Sequence, residues 1–332
     1  MKNRQWLLAR RPQGALQDSD FNFIETDIPE LADGEVLLRN LVLSCDPTQR
    51  GWIAYDTYLP AVKIGEVVRS GGAGRVVASK NPAFKEGDLL SGLVGWQDYV
   101  AMNPKGNLSR LPPGAPLELA LSVLGLTGIT AYFGLLEIGR PVEGETVVVS
   151  GAAGATGSVV GQIAKIKGCR VIGIAGGPEK CNWLTQDLGF DSAIDYKSQK
   201  VGARLKELCP KGINLFFDNV GGEILDAALA RLALRGRVVL CGGIAGYNET
   251  EPLPGPKNYM NLVMQRGRME GFIVLDYLPR AGEAVSALAG WVQEGKIKNK
   301  VDVQQGLENA PATLRRLFDG RNEGKQLLRI AE

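Results

Sequence analysis

Residues 146–157 constrain this chain more than any other stretch: Thr146-Val147-Val148-Val149-Ser150-Gly151-Ala152-Ala153-Gly154-Ala155-Thr156-Gly157. Three successive valines before a glycine read as a strand buried on both faces, as in a parallel sheet. Gly151, Gly154 and Gly157 follow at intervals of three, and Val159, Ile163 and Ile166 then share one face of a helix over residues 158–167. Gly168 stands where a left-handed residue would end that helix. Strand, glycine turn and helix together present backbone N–H groups at a helix N-terminus, the arrangement that receives a pyrophosphate.

The rest of the chain fits around that unit. Residues 1–122 read as all-β, with short apolar runs at 35–39, 65–69, 75–78 and 89–90 separated by Gly- and Pro-rich turns, as in a small barrel. Beyond that point strands and helices alternate. Strands are expected at 171–174, 215–218 and 238–240, and helices at 178–188, 199–208, 223–232 and 280–295. Each strand leaves into glycine, which predicts an α/β class with a doubly wound parallel sheet. The strand-like segment 326–330 is expected to rejoin the N-terminal region, so the predicted domains are 1–122 completed by 300–332, and 123–299. The uncharged stretch 119–136 carries too many Gly, Ser and Thr for a membrane span and reads as buried helices broken near 125–128.

Composition removes several classes of function. A net charge of +2 gives no electrostatic footprint for nucleic acid or an anionic membrane. The N-terminus lacks a secretory apolar run, which points to the cytoplasm. Five cysteines are scattered, with no CxxC pair, so neither a disulfide framework nor a cysteine-rich zinc site is expected. The chain has no histidine at all, which excludes a His base, a Ser-His-Asp triad and a His-ligated metal.

An NAD site usually places an acid at the end of its second strand to hold the ribose 2′-OH. Here that position reads Ile174-Ala175-Gly176-Gly177, followed by Lys180, with Tyr196 ending the next strand. The missing acid and nearby cation suit the 2′-phosphate of NADP(H).

Longer stretches carry a resemblance. Thr127-Gly128-Ile129-Thr130-Ala131-Tyr132-Phe133-Gly134-Leu135, the glycine turn with its helix, Phe217-Asp218-Asn219-Val220-Gly221-Gly222 and Arg268-Met269-Glu270-Gly271-Phe272 resemble the medium-chain dehydrogenase/reductase superfamily. They match its zinc-independent prostaglandin reductase and alkenal double-bond reductase branch. Leu43-Ser44-Cys45-Asp46-Pro47-Thr48-Gln49-Arg50-Gly51 and Gly95-Trp96-Gln97-Asp98-Tyr99 look most like its bacterial curcumin-reductase-like members. The resemblance spans nearly the whole chain. It implies a GroES-like β-barrel, an inserted Rossmann domain and a homodimer.

Carried over by motif, the pyrophosphate falls at Gly154, Ala155, Thr156 and Gly157, and the 2′-phosphate near Lys180 and Tyr196. The resemblance further assigns Asn219, Cys241, Gly242, Gly243, Ile244, Phe272, Ile273, Val274, Asn322 and Thr130 to the cofactor. It puts an active-site tyrosine at Tyr247 and a second pocket tyrosine at Tyr58; Tyr259 is a third candidate. The family often has tyrosine after the proline of its Asp-Pro motif, where this chain has Thr48. Alcohol oxidation needs a Lewis acid or base, whereas conjugate reduction of an enone needs positioning and a hydrogen-bond donor, which tyrosine supplies. The expected activity is therefore NADPH-dependent reduction of the carbon–carbon double bond of α,β-unsaturated ketones or aldehydes, with no metal. Quinone reduction, or NADPH binding without catalysis, are the alternatives.

Overall fold

In the computed structural model, which describes residues 2–332, the chain divides into two compact units. One is Ser122–Lys300; the other is the chain up to Leu121 together with Val301–Glu332.

The Ser122–Lys300 unit is built on six parallel strands: β1 (Thr146–Ser150), β2 (Arg170–Ala175), β3 (Ser192–Asp195), β4 (Ile213–Asp218), β5 (Leu232–Leu240) and β6 (Arg268–Gly271). Their order is β3-β2-β1-β4-β5-β6, so the winding reverses between β1 and β4. In such sheets ligands bind outside the carboxyl ends of the strands at that reversal. Val147, Val148 and Val149 are fully buried, as a strand covered on both faces requires.

The helix after β1, Ala155–Ile166, starts earlier than its apolar spacing suggests, because Ala155-Thr156-Gly157 carries no periodic signal. Gly168 ends it at φ 77°, with Cys169 N–H donating to Ala164 O at 3.0 Å. Gly161 lets the helix lie on Phe190, whose ring would stand 1.9 Å from any Cβ there.

Several boundaries differ from the sequence reading. The helix expected over 223–232 is Gly222–Leu229, and β5 begins at Leu232 rather than Val238. Leu-Ala-Leu-Arg carries no strand alternation, and Arg235 at φ 59° with a register shift opposite Ile213–Leu215 kinks the strand. The helix from Pro178 stops at Asn182 and widens into a π-turn over Trp183–Asp187, which keeps Leu184 buried. Stretch 119–136 contains the helix Leu126–Phe133, and no helix among the described residues is long and apolar enough to cross a membrane.

The other unit holds a seven-stranded, mainly antiparallel sheet. Lys325–Arg329 lies between Val301–Gln305 and Val36–Ser44, followed by Gly71–Ser79, Leu89–Leu93 and Leu108–Arg110; Tyr99–Met102 also pairs with Val36–Ser44. Its core gathers Leu8, Leu38, Leu43, Ile53, Leu90 and Trp96. The strand expected at 65–69 is instead a loop, held to Lys2–Leu8 by a single bridge at Val67 and by bonds such as Val68 N–H to Trp6 O, 2.9 Å. Its Val-Val pair is apolar because Val68 enters the core, and no continuous ladder follows.

At the amino ends of the parallel strands, Arg237 on β5 donates to Glu145, which immediately precedes β1, and to Gly139 O. Burial raises the Glu145 carboxyl, but the bonds from Arg237 and Val142 N–H outweigh it, so the group sits below its ordinary 4.5. A depressed native value gives stability that is complete above the unfolded pKa and is lost as pH falls through the folded one. Urea midpoints of Glu145→Gln should therefore trail the wild type at neutral pH, and the gap should begin to close below about pH 4, near the unfolded glutamate value, and vanish once pH has passed below the folded one; parallel curves would contradict the linkage.

Candidate functional site

The site grows from the ends of β1, β4 and β5. Gly151 adopts φ 57° and accepts a hydrogen bond from Gly154 N–H at 2.9 Å. Gly154 is the extended N-cap of Ala155–Ile166, and no side chain caps that helix. The amides of Ala155, Thr156 and Gly157 thus face outward at the positive end of a twelve-residue helix. A Cβ on Gly157 would lie 2.4 Å from Gly151 O and 2.9 Å from Ala152 Cα, so a side chain there would force the turn apart. This cradle fits a pyrophosphate.

Beside it, two polar residues missed by the sequence reading organise the reversal point. Ser150 and Asp218 are fully buried at adjacent strand ends. Ser150 Oγ donates to Asp218 Oδ1 at 2.7 Å and accepts from Asn219 N–H at 2.8 Å. Asp218 also accepts from the amides of Val220 and Gly221, each at 3.1 Å, while its carbonyl receives Cys241 and Gly242 N–H. Burial pushes the Asp218 carboxyl up, and the bonds from Ser150, Gly221 and Val220 oppose the rise. The available sequence signal was a serine and an aspartate closing two apolar strands.

These bonds bring Asn219, Cys241, Gly242, Gly243, Ile244 and Tyr247 together. Asn219 Nδ2 donates to Ser150 O at 2.7 Å, and Ile244 N–H donates to Asn219 O at 3.3 Å. Tyr247 follows the short turn Ile244–Gly246 and folds back, so that its hydroxyl accepts Gly243 N–H at 3.2 Å. Phe272, Ile273 and Val274 follow β6; the Phe272 ring fills the space a Cβ on Gly134 would take. Thr130 donates its hydroxyl to Leu126 O at 2.7 Å, within its own helix.

At the ends of β2 and β3, Lys180 is half-buried on Pro178–Asn182 and Tyr196 is 46% exposed. The acid missing from β2 has a neighbour on β3, since Asp195 pairs in register with Ala175. Its carboxylate accepts Gly177 N–H at 2.8 Å, Ser198 Oγ at 2.7 Å and Lys197 N–H at 3.0 Å; the Gly177 bond leads in holding its pKa down.

In the other unit, Tyr58 and Thr48 share a hydroxyl–hydroxyl hydrogen bond of 2.9 Å, with Trp52 edge-on to the tyrosine ring. Thr48, the departure from the family pattern, is thus the polar partner of Tyr58. Asn322 donates to Gly324 O within its own turn, at 2.9 Å. Tyr259, in Ser122–Lys300, is 56% exposed, ahead of the helix Asn261–Met264. Cys45 is buried, which pushes its thiol up to about 12.

A Rossmann sheet with a glycine cradle at its reversal point, in a chain that also folds a GroES-like sheet, defines a nucleotide-dependent oxidoreductase architecture. Residues 4–109 match the family described as N-terminal domain of oxidoreductase, and residues 155–290 the one described as zinc-binding dehydrogenase. The chain is 43% identical to the NADPH-dependent curcumin reductase of Escherichia coli (strain K12), covering 99% of this chain and 97% of that protein. It is 42% identical to prostaglandin reductase 1 of Oryctolagus cuniculus, covering 98% and 93%. The crystal structure of CurA from Vibrio vulnificus in complex with NADPH superposes with a TM-score of 0.94 at 42% identity, over 99% of both chains. The chain belongs to the medium-chain dehydrogenase/reductase superfamily, in its prostaglandin reductase and alkenal reductase branch. The zinc in the second description finds no matching donors: the chain lacks histidine, and the described residues hold no cluster of three or more His, Cys, Asp or Glu able to bind a metal.

Ser150→Ala should lower the unfolding free energy by about 1–3 kcal/mol, because a buried carboxylate and an amide lose a partner. Urea denaturation measures this, and an unchanged midpoint would deny the network its structural weight.

Proposed function

We propose that this protein reduces the carbon–carbon double bond of α,β-unsaturated ketones and aldehydes with NADPH. The observation that carries the reading is Tyr247, a phenol held by Gly243 N–H at the carboxyl end of β5, near the glycine cradle's buried Ser150–Asp218–Asn219 tie. The residues present fit the cofactor. The amides of Ala155, Thr156 and Gly157, with Gly154, take the pyrophosphate, and Lys180 and Tyr196 the 2′-phosphate. Asn219, Cys241–Ile244 as backbone, Phe272–Val274 and Thr130 border the remainder. Bound there, NADPH supplies the hydride that the β-carbon of the substrate receives.

The protein's own part is orientation and charge stabilisation. As negative charge gathers on the substrate oxygen, Tyr247 donates a hydrogen bond to it; Gly243 N–H, donating to the same phenol, strengthens that donor. The apolar ring of Tyr247 offers the substrate a wall, and Tyr58 is the pocket tyrosine of the GroES-like unit. Water delivers the final proton to the α-carbon. The nucleotide-binding role falls to 123–299, and the substrate role to 1–122 with 300–332.

The pure protein should oxidise NADPH when offered an enone, enal or curcumin-like dienone; a blank with every such acceptor would end this reading, and benzoquinones in the same assay test the quinone alternative. Tyr247→Phe should lower kcat by about 10²–10³-fold, the usual loss for one oxyanion donor, with NADPH affinity unchanged.

The homodimer belongs to the same proposal. β6 ends the parallel sheet, and its Arg268-Met269-Glu270 is self-complementary: antiparallel pairing of two copies about Met269 sets each Arg268 opposite a partner Glu270. Light scattering should give a dimer for the wild type and a monomer for Glu270→Arg; a monomeric wild type would dispose of the pairing.

A further inference from the structure

Tyr58 lies in a loop, residues 53–62, whose two ends are tied together. Arg11 Nη1 donates to Ile53 O at 2.9 Å and also to Val62 O, and Val62 N–H donates to Trp52 O at 2.8 Å. Between those ends, Ala61 N–H donates to Asp56 Oδ1 at 2.8 Å and Thr57 N–H to Leu59 O at 2.9 Å, while Arg69 Nη1 holds Pro60 O at 2.8 Å. None of these bonds involves the Tyr58 side chain. Tyr58 is 45% exposed, with Trp52 edge-on at 6.4 Å, and such a neighbour limits the tilt of the ring without fixing its oxygen. The oxygen is fixed by Thr48, at 2.9 Å. Thr48 stands just before the helical turn Gln49–Trp52, where a threonine hydroxyl ordinarily caps the backbone. Here its own backbone is already helical, at φ −60° and ψ −23°, and the hydroxyl makes no cap bond. It turns to Tyr58 instead, from a β-branched side chain with few rotamers.

Resting on the enone-reductase reading above, we propose that Thr48 is a positioning residue: it holds the Tyr58 phenol oxygen at one point, so that this tyrosine meets the substrate with a fixed hydrogen-bonding group. A phenol oxygen that accepts from the threonine keeps its own hydrogen to donate to the substrate. A donor oriented in advance also loses less freedom when the substrate binds. The bond between two exposed hydroxyls adds little to folding, because water replaces either partner. Direction is what it supplies. A tyrosine at position 48 would carry its hydroxyl at the far end of a ring and could not hold the Tyr58 oxygen from beside the backbone, so this tether belongs to the threonine that the chain has there.

Thr48→Val removes the hydroxyl and keeps the branched shape, Thr48→Ser keeps the hydroxyl, and Tyr58→Phe removes the other partner. Steady-state kinetics with NADPH and benzylideneacetone should give Thr48→Val an enone KM about three- to tenfold above wild type, the scale of one neutral hydrogen bond, with KM for NADPH unchanged. Thr48→Ser should restore the wild-type enone KM. Adding Thr48→Val to Tyr58→Phe should change nothing further, because the threonine acts only through the phenol. The fluorine resonance of a fluorotyrosine incorporated at position 58 reads the tether without turnover; it should shift in Thr48→Val and return in Thr48→Ser. An unmoved resonance, an unchanged enone KM or additive losses in the double variant overturns the proposal and leaves the reductase reading intact. A wild type that turns over neither benzylideneacetone nor any other enone or enal would overturn that reading, and the role of Thr48 with it.

Discussion

Buried Asp218 holds the ends of three parallel strands in one arrangement, through its carboxylate and its backbone carbonyl together. Its carboxylate oxygens take Ser150 from β1 and the amides of its own turn, and its carbonyl takes Cys241 and Gly242 from the turn that follows β5. A carboxylate removed from water is costly unless such donors surround it. Because these donors come from separate segments, satisfying the charge also fixes where those segments lie. Asn219 gains its place in the same way, anchored through both its backbone and its amide to Ser150.

The glycine turn depends on that anchorage. A Cβ on Gly151 would approach the Asn219 side chain to 3.3 Å, and one on Gly157 would strike the Gly151 carbonyl. The turn is thus packed between its own helix and the β4 turn, so the outward amides of the helix start meet a ligand without rearranging. That preorganisation is worth more than the number of contacts, since little freedom is lost on binding.

The chemistry around this frame is sparing. Burial pushes the Cys45 and Cys241 thiols up to about 12, so neither supplies a thiolate near neutral pH. With histidine absent from the chain, the polar groups at the β5 end include backbone amides, Asn219 and the Tyr247 phenol, and no imidazole. A neutral donor of this kind suits a reaction in which an oxygen gains charge and no proton must be removed first.

What the sequence determined by itself was the class of fold and the phosphate cradle. Three valines followed by glycines at fixed spacing leave the backbone few alternatives, and the signal lies within a dozen adjacent residues. The absence of histidine and of an acid after β2 was equally plain, since composition needs no coordinates. Local pattern failed where long-range contacts overrode it: in the kinked start of β5, the π-turn at Trp183–Asp187 and the loop around Val67. Only the tertiary structure decided that Ser150 answers Asp218 across 68 positions of chain, that Thr48 partners Tyr58, and that Tyr196 and Lys197 lie over Gly176. Those are meetings of side chains carried by separate elements. Their distances follow from the winding order of the sheets and the loops that close them, which no single window of sequence contains.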